Sequence, residues 1–68
     1  MKIIINLDNI MTKKRMSLFE LAEKINVTNA DLYSFINNKA EYIELSTLAA
    51  LCKELDCQPG DLLKYIDE

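Results

Sequence analysis

The sequence has no histidine, one glycine, one proline and two cysteines in 68 residues. Each shortage removes a class of chemistry. Without histidine the commonest general base is missing, and two cysteines alone fall short of the four ligands of a structural zinc. No metal and no cofactor is expected. A single glycine excludes a glycine-rich phosphate loop. No nucleophile stands at a spacing that supplies it with a base, so an enzyme is not expected. No run approaches the ~20 apolar residues that cross a bilayer, and no apolar run follows a basic N-terminus as in a signal peptide. The expectation is a soluble, cytoplasmic protein with no membrane partner. Positive charge is scarce as well: 8 Lys and Arg stand against 11 Asp and Glu, a net charge of −3.

What is present is apolar surface. Half of the residues are hydrophobic, within a length that makes one domain, residues 1–68. A domain of this size buries only about 60% of its extended-chain surface. Part of the apolar surplus is therefore expected at a dimer interface. With so little glycine and proline, loops are short. Helical periodicity through most of the chain gives an all-α class.

The densest signals lie between Ser17 and Lys39. Ser17 has Glu20 three residues on, the spacing of a helix start. Leu18, Leu21, Ala22 and Ile25 then recur at helical intervals. Asn26, which tolerates the left-handed conformation, ends that helix. Thr28 caps the next one, with Asp31 at its positive end. Leu32, Phe35 and Ile36 form the inward stripe of a helix over 29–37, and Asn37-Asn38 stops it. Two helices joined by so short a turn cross steeply, which is the helix-turn-helix geometry, here over 17–38.

The flanks are simpler. MKIIIN reads as a strand, and Leu63-Lys64-Tyr65-Ile66-Asp67 alternates as its candidate mate, within one chain or across a dimer. A helix over 7–15 is capped by Asn6, buries Leu7, Ile10 and Met11, and closes on Lys13, Lys14 and Arg15. That basic run is either a solvated helix end or a phosphate contact. A fourth helix starts after Leu45 or Ser46 with Ser46 as its cap. Its apolar stripe is Leu48, Ala49, Leu51, Cys52 and Leu55. On that face Cys52 acts as a small hydrophobe. Pro59 opens a fifth helix with Asp61 in its first turn.

Ser17, Leu21-Ala22, Asn26, Val27-Thr28, Leu32 and Asn37-Asn38-Lys39 together resemble the Cro/C1 (XRE) family of helix-turn-helix DNA-binding domains. That family runs Ser/Thr-x-x-x-Leu-Ala-x-x, a Gly turn, Val/Ile-Ser/Thr, a recognition helix and an Asn-Gly-Lys exit. Leu45-Ser46-Thr47-Leu48, Cys52-Lys53 and Cys57 to Leu63 match a short single-domain subgroup, so the resemblance covers nearly the whole chain. It implies a five-helix, lambda-repressor-like fold, to which the terminal strands add a small two-stranded pairing. It implies a transcriptional regulator, a repressor, binding double-stranded DNA as a homodimer.

Carried onto this sequence, the resemblance places Thr28, Asn29, Ala30, Asp31, Tyr33, Ser34, Asn37 and Lys39 at the DNA. Lys13, Lys14, Arg15 and Ser17 are the candidates for phosphates. Several positions depart from the family pattern. Asn29 and Ser34 stand where Arg is frequent, Leu18 where a polar residue is frequent, and Asn38 where Gly is. Glu41 and Glu44 make the following loop more acidic. Asn pairs with adenine and Ser with any base, whereas the Arg–guanine contact is absent, so A·T-rich sites are expected. The departures leave a second reading open. The fold is then reused to bind a protein, as an antirepressor or inhibitor, through Leu18, Phe19 and Tyr33.

Overall fold

The structure is a computed structural model that describes residues 2–67. Its elements in chain order are β1 (Lys2–Ile5), α1 (Leu7–Lys14), α2 (Leu18–Ile25), α3 (Asn29–Ile36), α4 (Leu45–Leu55), α5 (Pro59–Leu62) and β2 (Leu63–Ile66). The expected five helices are present, together with a small antiparallel sheet. β1 and β2 pair within the one chain, with Lys2 opposite Ile66 and Ile5 opposite Leu63. Met1, the first residue of the expected strand, lies outside the described residues.

One set of leucines holds the helices together. Leu7, Leu21, Leu32, Leu51, Leu55 and Leu62 are fully buried, and every helix supplies at least one. Each such side chain contributes roughly 1.5–3 kcal/mol of transfer free energy. Among the described residues no polar or charged side chain is buried, so packing shape alone fixes the interior. Ile5 and Leu63, opposite one another in the ribbon, pack against the edge of this core.

Several local expectations need correction. α4 begins at Leu45 with Glu44 in the cap position and no side-chain cap bond. Ser46 is therefore inside the first turn and caps nothing. Asn6 occupies the cap position of α1 but makes no cap bond to the backbone. Its Oδ1 accepts from Nδ2 of Asn9 at 2.8 Å instead. Ala49 is exposed. Residues 48, 51, 52 and 55 already fill one helical stripe, and position 49 falls about 100° round the helix from Leu48. α5 is a single turn that passes directly into β2. Its start is fixed by the Asp61 carboxylate, which accepts the Gln58 N–H at 2.9 Å.

The two cysteines are free and half-buried. They meet across the end of α4, where the Cys57 N–H donates to the Cys52 carbonyl at 3.0 Å. Burial pushes the Cys57 thiol above its usual range, and the adjacent Cys52 side chain adds to the shift.

Candidate nucleic-acid interface

The α2–α3 unit is locked by its own side chains. Ser17 Oγ accepts the Glu20 N–H and Thr28 Oγ1 accepts the Asp31 N–H, both at 3.1 Å. Asn26 is left-handed, with φ 58°, and lets the Val27 N–H reach the Ala22 carbonyl at 3.1 Å. Val27 then packs on the core. Leu21 and Leu32 are buried beneath the pair. These contacts fix the angle at which α3 leaves the body.

The exposed side of α3 carries Ala30, Asp31 and Tyr33, and Asn37 and Lys39 follow as exposed residues at the exit. Thr28 and Ser17, at the two helix starts, are exposed too. Asn29 and Ser34, expected to face outward, are half-buried. The hydrogen bonds decide what each hydroxyl can still do. Ser34 Oγ donates to the Asp31 carbonyl at 2.7 Å. Its proton is spent inside the helix, so outward it offers an acceptor. The amino groups of adenine and cytosine are the base groups that satisfy an acceptor in the major groove. Thr28 and Ser17 use an oxygen lone pair for capping and keep their O–H as a donor, which suits a phosphate oxygen.

Sequence-predicted residues fall into separate groups. Asp31, Ser34 and Lys39 meet around an open cavity of about 440 Å³ beside α3, together with Glu41, Tyr42 and Glu44. One cation and three carboxylates therefore share that flank. Lys13 and Lys14 are drawn elsewhere. They line a groove of about 310 Å³ with Lys64, Asp56, Asp61 and Cys57, at the far end of α4. Two carboxylates thus offset the densest basic run. Arg15 leaves the helix altogether, as a left-handed cap with φ 55°.

Leu18 packs against the core. Of the Leu18–Phe19 pair only Phe19 is offered outward, at 72% exposure. Sequence reading passed over Tyr42 and Leu45, which are 82% and 81% exposed. An aromatic between two acids in Glu41-Tyr42-Ile43-Glu44 was the available signal for Tyr42, whose loop neighbour Ile43 packs on the core instead.

Residues 6–68 match the Cro/C1-type HTH DNA-binding domain family. Over 65 residues the chain is 52% identical to the uncharacterised HTH-type transcriptional regulator YozG of Bacillus subtilis (strain 168), covering 96% of this chain and 77% of that one. The fold is similar to the crystal structure of the transcriptional regulator VanUg (form II). That match has a TM-score of 0.77 and 25% identity, over 98% of this chain and 88% of that one.

Proposed function

The chain belongs to the Cro/C1-type helix-turn-helix DNA-binding domains, and on that premise we propose that it is a sequence-specific repressor that binds duplex DNA as a homodimer. α3 lies in the major groove, with its N-terminal residues toward the base edges. The observation that carries this reading is the α2–α3 unit itself: two side-chain-capped helices, a left-handed turn, and an outward face on α3 of Ala30, Asp31 and Tyr33 flanked by half-buried Asn29 and Ser34. Two copies address half-sites about 34 Å apart, one turn of DNA.

Chemistry sets the preference. α3 contains no Arg or Lys, so guanine is not its target. Asn29 and Asn37 pair with adenine, which favours A·T-rich half-sites, and Ser34 accepts from the amino group of adenine or cytosine. Phosphates are held by Lys39 and by the hydroxyl donors of Thr28 and Ser17. With few cations engaged, affinity is modest and its salt dependence shallow for a regulator.

Selection from a random duplex library at low salt, followed by a salt titration of the enriched pool, tests this. The expected result is a two-fold-related A·T-rich site. Lys39→Ala should weaken binding similarly across sequences and reduce the salt slope by about one. An unenriched pool, or Lys39→Ala and Ser34→Ala variants that bind as well as the parent, would overturn the assignment.

A second reading is supported by exposed apolar side chains and by the acidic cavity beside α3. Phe19, Tyr33, Tyr42 and Leu45 are each more than half exposed, and Asp31, Glu41 and Glu44 line one cavity with Tyr42. Aromatic anchors with acidic neighbours suit a protein partner, as in an antirepressor or inhibitor. Failure to bind bulk duplex even at low salt, with capture of one partner abolished by Tyr42→Ala, would favour it.

A further inference from the structure

Asn38 has two duties at the exit of α3. Its φ of 57° is left-handed, a conformation that Gly and Asn adopt most cheaply. Only Asn also brings an acceptor. Asn38 Oδ1 accepts the Ile5 N–H at 3.0 Å, across 33 positions of sequence. The bond has a defined place in the ribbon. The Asn6 N–H donates to the Leu62 carbonyl, and antiparallel pairs alternate between bonded and non-bonded positions. Ile5, opposite Leu63, therefore turns its N–H away from β2 to the open edge of β1. Asn38 occupies that edge position.

The same exit carries groups that face the DNA. The Ser34 carbonyl accepts the N–H of Lys39 at 2.9 Å and of Ala40 at 3.2 Å, and the Asn37 N–H reaches the Tyr33 carbonyl at 2.9 Å. Asn38 is thus embedded between Asn37 and Lys39 in a tightly bonded turn, with one side chain reaching out to the strand. A Gly at this position would keep the turn and lose the tie. Beside the tie runs an open groove of about 420 Å³ lined by Ile5, Asn38, Ala40, Ile43 and Leu63. Packing on that side leaves room for β1 to move unless the amide holds it.

We propose that Asn38 is a positioning residue that ties β1 to the exit of α3 and so holds Asn37 and Lys39 in place for DNA. The inference rests on the DNA-binding reading above. Its consequence is linkage. Closing the ribbon strengthens the grip on DNA, and DNA in turn steadies the ribbon by the same factor.

Two variants remove the bond from opposite sides. Asn38→Gly keeps the left-handed turn and deletes the acceptor. Ile5→Pro deletes the donor at an edge position where β2 does not need it. Affinity for the selected duplex is measured well below the melting temperature of each variant, alongside amide exchange at Ile5 in the parent and in Asn38→Gly. Asn38→Gly should expose the Ile5 amide to exchange and weaken DNA binding about threefold to tenfold, the net worth of one hydrogen bond. The double variant should bind no worse than the weaker single one, because both remove one tie. A folded Asn38→Gly protein that binds as tightly as the parent, an Ile5 amide that stays protected in it, or effects that multiply in the double variant would each overturn the proposal. If the parent chain binds no duplex at all, the DNA reading fails first and the tie has no target to serve.

Discussion

Helices α2 and α3 start on a hydroxyl that accepts a backbone N–H three residues on. α1 and α4 start on Asn6 and Glu44, with no side-chain cap bond in either. All four bury leucines in the same core, so the difference is not one of packing. It lies in where the instructions for each helix reside. α2 and α3 carry their own boundaries as local chemistry, whereas α1 and α4 begin where the fold around them permits. The angle between α2 and α3 is what defines the helix-turn-helix. A cap fixes where each of the two helices starts, and the Asn26 turn and the leucines beneath the pair complete that angle.

The largest test of this contrast should erase it. Leu32→Ala in α3 and Leu51→Ala in α4 both empty a fully buried site, and each is expected to cost about 2–5 kcal/mol in urea denaturation. A domain this small has little more than that in reserve, so both variants should be near or past their midpoint at room temperature. The caps come next. Thr28→Ala should cost about 1 kcal/mol, a clear shift in the urea midpoint. Gly60→Ala should act in the opposite direction. Gly60 lies in the first turn of α5 without a positive φ, and a Cβ there meets nothing within 4 Å. A gain of about 0.4–1 kcal/mol follows from the stiffer unfolded chain. Smallest is Ser46→Ala. Because Ser46 sits inside α4 and not at its cap, alanine should raise stability by a few tenths of a kcal/mol through helix propensity. A loss comparable to that of Thr28→Ala would mean that α4 is capped by its serine after all.

The same divide explains what could be read from the chain. Ser17 with Glu20, Thr28 with Asp31, and Asn26 in its turn are signals spaced three or four residues apart. They could be read because the interactions that use them are equally short. The terminal ribbon was legible from three isoleucines and an alternating tail, though not whether it closed within one chain. Ser46 was misread because Leu45-Ser46 offers two possible starts. Only the surrounding fold selects Glu44 as the cap position. Ala49 was misplaced because five apolar positions were assigned to a stripe that holds four. At the site, exposure and charge neighbours were the illegible part. Nothing near Lys13 or Lys14 in sequence announces Asp56 and Asp61. Nothing near Asn38 announces Ile5. Such pairings depend on the whole fold and leave no periodic trace.

The ribbon also dictates when the protein becomes finished. Lys2 stands opposite Ile66, so nearly the full described length separates partners that must meet. Closing so long a loop carries an entropic cost that local helix contacts do not face. Order should therefore spread from the capped middle toward the two ends. On the ribosome the isoleucines of β1 emerge before β2 and wait for it while the five helices between them are made. During that interval they form an unpaired, β-branched edge. β1, translated before the helices, is thus among the last elements to settle, and a chain halted before Leu63 would hold its helix pair while β1 stayed open to other chains.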